Sequence, residues 1–186
     1  MRKWYICNLD INTCTIYLHC SNILVIMKNC FSNNQENSSI FRLANMYNMP
    51  ETDDEYAKTY NSLSDDEKMF IAQYPTYAAK FYLNSKEAKK AVENLSGKRD
   101  GYADAVRHCY WCALNQMYVG YNSSLAERYG NAHENIPNNE AKIMDLYNNS
   151  VGYLLGKEGI VKGWSEKDLL KNVIKAANDG RLQIGL

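Results

Sequence analysis

The chain has 186 residues, of which 46% are hydrophobic and 23% charged, with 21 Lys+Arg balanced by 21 Asp+Glu. A chain of this size and mix can bury roughly 70% of its unfolded surface as one domain without disulfide or metal staples. Zero formal net charge excludes long-range attraction to nucleic acid or anionic lipid, and no segment reaches the 18 or so apolar residues of a membrane span.

Residues 1–38 read as an atypical segment. Met1-Arg2-Lys3 resembles the basic start of a secretory signal, but Asn8, Asp10 and Asn12 break the apolar run that must follow. A weak signal, a hairpin, or an incidental extension before a start at Met27 all fit. Cys7, Cys14, Cys20 and Cys30 match no zinc spacing and stay unassigned.

From residue 39 to 186 the apolar period becomes helical and stays so, with no sustained strand alternation. The fold class this predicts is all-α: a single-domain orthogonal bundle of about six to eight helices. Ile40 to about Tyr47 is a short amphipathic stretch, ended by Met49-Pro50. Thr52-Asp53-Asp54-Glu55 starts another helix with acids in its first turn. Ser64-Asp65-Asp66-Glu67 is a capping box ahead of Met69, Phe70 and Ile71, and Tyr74-Pro75 breaks that helix.

Thr76 to Leu83 is expected to be a short helix, with Ser85 capping the next and Ser96-Gly97 stopping it. The cations Lys86, Lys89, Lys90, Lys98 and Arg99 read as a solvated face. The longest helix is expected over about Tyr102 to Tyr118, with Val106, Tyr110, Ala113 and Met117 as its buried stripe and Gly120 as its end. A helix from Ser123 or Ser124 to about Glu134 follows, then a loop at Pro137-Asn138-Asn139. Glu140 to about Leu155 is expected to be helical and to end at Gly156. Ser165-Glu166-Lys167-Asp168 caps the last helix, which Asp179-Gly180 closes.

Three of these helices carry the residues able to do chemistry. Asp104 and His108, four apart, share a face, and a carboxylate beside an imidazole sets its tautomer and basicity. Arg107 beside them can hold an anion or bridge to a structural carboxylate. His133-Glu134 supplies a metal ligand with a general base, or a base with its orienter. Asp145, Asn149 and Gly152 share a face of the next helix. Asn is a mediocre helix former, and Gly costs about 1 kcal/mol against Ala in a helix interior. Their presence there is explained by specific hydrogen bonds and by close approach of another backbone. Each segment also has a purely structural reading, as paired or networked polar groups between helices. Cys109 and Cys112 form a Cys-x-x-Cys about two turns inside a helix, where the dipole gives little thiol activation; they read as core thiols.

The run Asp104-x-x-Arg107-His108-x-Tyr110-Trp111, then Ala132-His133-Glu134, then Met144-Asp145-Leu146-x-Asn148-Asn149-x-x-Gly152 resembles an uncharacterised bacterial domain family of wall-associated and polymorphic-toxin-type proteins. The likeness covers roughly residues 65–183, including Asn172-Val173-Ile174-x-Ala176-x-x-x-Gly180. It implies a helical domain whose polar motifs converge, and secretion or delivery to another cell. Members of that family often carry a histidine where this chain has Tyr147. The expectation is a hydrolase-type effector or toxin domain. Its catalytic residues would be His108, Asp104, Arg107, His133, Glu134, Asp145 and Asn149. His108, His133 and Asp145 would bind a divalent metal, and a cognate immunity protein would be a partner. The alternative is a non-catalytic interaction module in which the same residues form a buried network.

Overall fold

The computed structural model describes residues 61–134 and 140–185, without the side chains of 140 and 141. The expectations for the N-terminal segment, its four cysteines, the stretches at Ile40 and Thr52, and the loop at Pro137 lie outside the described residues. All six described helices belong to the unit Leu63–Leu186. They are α1 (Asp65–Gln73), α2 (Pro75–Ala91), α3 (Tyr102–Val119), α4 (Leu125–His133), α5 (Glu140–Lys162) and α6 (Glu166–Asn178). The described residues contain no strand, so the domain is all-α. No described helix is long and apolar enough to cross a membrane.

Local sequence accounts for most helix ends. Ser64 caps α1 through a full capping box, its Oγ accepting from the Glu67 N–H at 3.1 Å while Glu67 Oε2 accepts from the Ser64 N–H at 2.8 Å. Ser165 and Asp168 repeat the device at α6. Pro75 stands in the first turn of α2, where a missing N–H is harmless. Gly180, at φ +72°, follows α6 in the left-handed conformation that suits glycine.

Two expectations are corrected. The predicted break near Leu83 does not occur: α2 runs unbroken from Pro75 to Ala91. Ser85 is not a cap; its Oγ donates back to the Tyr82 carbonyl at 2.7 Å, as a serine inside a helix can. Likewise α5 does not stop at Gly156 but continues through Gly152, Gly156 and Gly159 to Lys162. These glycines serve packing rather than termination. A Cβ on Gly152 would stand 2.3 Å from the Cys109 carbonyl oxygen, and one on Gly156 would stand 2.6 Å from that of Ala113.

That contact places α3 at the centre. Every residue from Ala103 to Gln116 except Arg107 is buried, so α3 is covered nearly all round. It packs most extensively on α5, and also on α2, α6 and α4. Phe70, Phe81, Tyr129 and Trp111 form a chain of aromatic contacts that ties α1, α2 and α4 to it. The Trp111 indole N–H donates to the Phe81 carbonyl at 3.0 Å. Cys109 and Cys112 are fully buried free thiols in this core, and burial pushes the Cys109 thiol up to about 12.

Because the atoms facing Gly152 and Gly156 are backbone carbonyls, they cannot swing aside. Gly152→Ala and Gly156→Ala should each destabilise the domain by about 1–3 kcal/mol or more through overpacking, despite alanine's better helix propensity. Urea denaturation midpoints of the single variants check this.

Candidate functional site

The α3–α5 seam ends in a cluster of charged side chains. α3 supplies Asp104, Arg107 and His108, on adjacent turns of its N-terminal half. Glu134 comes from the C-cap of α4. Asp145 and Asn149 come from one face of α5, below Gly152. The Asp104, His108 and Glu134 side chains are at least nine-tenths buried.

His108 is the hub. Its Nδ1 lies 3.3 Å from Glu134 Oε1, off the line of an ideal hydrogen bond. Its Nε2 lies 2.9 Å from Arg107 Nη2, 3.8 Å from Asp104 Oδ1 and 3.6 Å from Asp145 Oδ1. A guanidinium can only donate, so Nε2 must accept and the ring proton belongs on Nδ1, toward Glu134. This is the tautomer in which a carboxylate orients an imidazole whose other nitrogen keeps a lone pair.

The neighbours fix these groups in place. Asp104 uses Oδ2 to accept from the Asp100 N–H at 2.8 Å, which leaves Oδ1 for the cluster and its ion pair with Arg107. Asp100 adopts φ +54°, and its carbonyl accepts from the Gly185 N–H at 2.6 Å. Asn149 Nδ2 donates to Glu134 Oε1 at 3.2 Å. Asn148, fully buried, holds the chain end instead: its side-chain oxygen accepts from the Gln183 N–H and its amide donates to the Gln183 carbonyl, each at 2.9 Å.

Three buried oxygens in this cluster, Asp104 Oδ1, Asp145 Oδ1 and Asn149 Oδ1, have no aligned hydrogen-bond donor. Unsatisfied buried acceptors call for an explanation. Ionisation in the cluster reflects the crowding. Burial, reinforced by Glu134 and Asp104 and opposed by His108 and Arg107, raises the Asp145 carboxyl to about 6. Burial would also raise Glu134, but hydrogen bonds and charge from His108, His133 and Asn149 hold it below its ordinary value.

Of the sequence-predicted residues, Asp104, Arg107, His108, Glu134, Asp145 and Asn149 come together. His133 stands to one side. Its ring centroid is 6.5 Å from that of His108, it meets Trp111 edge-on at 5.0 Å, and its Nδ1 pairs with Glu67 Oε1 at 2.8 Å. Among the described residues, the group whose donor atoms lie within 4.8 Å of one another is Asp104, His108 and Asp145. Asp104, rather than His133, is the third member of this group. The sequence pattern marks Glu67 only as part of a cap; its second oxygen, used here for His133, leaves no trace in that pattern.

The Glu67–His133 pair links α1 to α4 and has a pH signature. Burial lowers the His133 pKa, but the hydrogen bond and charge of Glu67 outweigh it, so the group ends above its ordinary 6.5. A raised imidazole stabilises the fold fully below 6.5 and loses that contribution as pH rises through the folded value. With His133 about 45% exposed, the effect should be under about 1 kcal/mol. Glu67→Gln keeps the capping box but should reduce the fall in stability between about pH 6 and about pH 8, with Glu134 sustaining the remainder. Denaturation midpoints at the two pH values measure it.

Residues 68–181 match the family model described as Domain of unknown function (DUF6973). No curated protein and no solved structure matches the chain.

Proposed function

The chain belongs to the DUF6973 family of domains of unknown function, and from that premise we propose that it is a metal-assisted, hydrolase-type domain centred on His108. One observation carries the reading: His108 Nε2, Asp104 Oδ1 and Asp145 Oδ1 stand together, with His108 Nδ1 facing Glu134. Donors about 2.0–2.2 Å from one tetrahedral ion stand roughly 3.3–3.6 Å apart, close to the 3.6 and 3.8 Å between Nε2 and the two oxygens. One imidazole and two carboxylates suit a borderline or hard divalent cation, and three protein ligands leave positions for water and substrate. Such an ion would also satisfy Asp145 Oδ1, which has no aligned donor, and would take the place of Arg107 at Asp104 Oδ1.

Arg107 shapes this reading. Its Nη2 touches both Asp104 Oδ1 and His108 Nε2, so a guanidinium supplies the positive charge that the donor set attracts. About a third of its side chain is exposed, so it has an outward path when a cation enters. Glu134 and Asn149 act behind the ligands as positioning residues, and His133 stands beside the cluster as a second imidazole. The ion would supply a bound water of lowered pKa as nucleophile.

The effector or toxin role, with delivery to another cell and a cognate immunity protein as partner, is part of the same proposal. Its support is the likeness of the three motifs to wall-associated and polymorphic-toxin-type domains. The opposing reading, a non-catalytic module with a structural polar network, is favoured by the burial of Asp104 and His108.

Calorimetric titration of the purified chain with Mn2+ and with Zn2+ separates the two. The hydrolase reading expects one ion per chain, and Asp145→Asn should weaken binding at least about 10-fold while the domain stays folded. If the wild type binds neither ion and Asp145→Asn only raises thermal stability, by relieving a buried carboxylate, the structural network is correct.

A further inference from the structure

Two of the three atoms offered to an ion, Asp104 Oδ1 and His108 Nε2, are both contacted by one guanidinium nitrogen, Arg107 Nη2. A metal ion and Arg107 therefore compete for the same pair of atoms. Nη2 is the tip of a long side chain whose remainder lies outside the cluster. It runs along a small pocket of about 190 Å³, which Arg107 lines with Lys89, Val92, Glu93, Lys98 and Ala103.

That pocket suits the arginine itself. Ala103 and Arg107, four apart, share a face of α3, and Val92 and Glu93 directly follow α2. Val92 and Ala103 are buried and give an apolar floor on which an aliphatic stem packs well. A guanidinium is planar and weakly hydrated, so it leaves water for such a surface more readily than an ammonium does. The volume equals that of several waters and has room for the planar head group. Glu93 is the one carboxylate of the lining; it is exposed, and among the described residues no ion pair or side-chain hydrogen bond engages it. Lys89 and Lys98 are exposed too, so their ammonium groups can stay in water, and Lys89 already has a partner.

We infer that Arg107 is a two-position lock on the site, a regulation that rests on the metal-assisted reading. Inward, it holds the ion's place on Asp104 and His108; outward, it lies over Val92 and Ala103 with its guanidinium on Glu93. Because the stem already lies along the pocket, the exchange needs only rotation about the outer side-chain bonds. Inward, the guanidinium balances buried carboxylates while no ion is present, and it covers the His108 lone pair. A divalent ion brings two positive charges in place of one and releases the arginine. The apparent affinity for the ion is then the intrinsic affinity reduced by the fraction of chains with Arg107 outward. Glu93 raises that fraction, by about 5-fold at most, since an exposed ion pair is weak.

Calorimetric titration of Mn2+ into four full-length chains tests the lock: wild type, Arg107→Met, Glu93→Gln and the double variant. Arg107→Met keeps an apolar stem and removes the competitor, so it should bind Mn2+ at least about 10-fold more tightly than wild type. Glu93→Gln should weaken binding about 2- to 5-fold, and should have no effect once Arg107→Met has removed the guanidinium it receives. The lock is overturned if Arg107→Met binds Mn2+ no more tightly than wild type, or if Glu93→Gln weakens binding equally in both backgrounds, as a distant charge would. Glu93 is exposed, so its single variant serves even if Arg107→Met does not fold, and an unchanged Mn2+ affinity there overturns the outward position. Either result leaves the metal-assisted reading standing. Failure of all four chains to bind Mn2+ or Zn2+ removes that reading, and the lock with it.

Discussion

Two helices can press backbone against backbone only where one of them lacks Cβ atoms. Gly152 and Gly156 give α5 two such places, directly over the carbonyls of Cys109 and Ala113 on α3. The constraint is severe because neither side can yield: one is a helical carbonyl, the other a helical Cα. It also has reach. Asp145 lies about two turns before Gly152 on the same face of α5, and His108 immediately precedes Cys109 on α3. The contact that sets the spacing of the seam therefore also sets how near the Asp145 carboxylate stands to the His108 ring, 3.6 Å in this structure.

The cost of that proximity is electrostatic. Three carboxylates, Asp104, Glu134 and Asp145, surround one imidazole and one guanidinium in a largely buried space. Removing charge from water is expensive unless it is paired and hydrogen-bonded. The raised Asp145 carboxyl and the orphaned oxygens are the residue of that cost. A fold selected for stability alone would do better with apolar side chains of similar volume at these positions. The positive charge that faces them in this structure is the Arg107 guanidinium, which contacts both Asp104 and His108.

Around this centre the surrounding elements act as a brace. The C-terminal stretch returns to the start of α3 through Gly185 and Asp100, and to α5 through Gln183 and Asn148. α1 is held to α4 by Glu67 and His133 and by the Ser64 hydroxyl, which donates to the Ala132 carbonyl at 3.0 Å. These contacts join segments far apart in the chain at the few places where the site residues leave their helices. Rigidity of this kind is what positions catalytic groups within narrow limits.

The amino-acid pattern by itself determined the all-α class, the caps at Ser64 and Ser165 and the central helix through Tyr102, and it singled out the polar residues that the fold gathers around His108. Each of these rests on interactions within a few residues, which spacing expresses directly. It misjudged Ser85 and Gly156, because a serine or glycine that ends a helix and one that sits inside it look alike until a neighbouring helix is in place. Only the tertiary structure decided that Asp104 rather than His133 joins His108 and Asp145, that Glu67 is the partner of His133, and that Arg107 contacts both Asp104 and His108. Those outcomes depend on distances between helices, and such distances are set by the glycine seam and side-chain packing, not by the periodicity of any one segment.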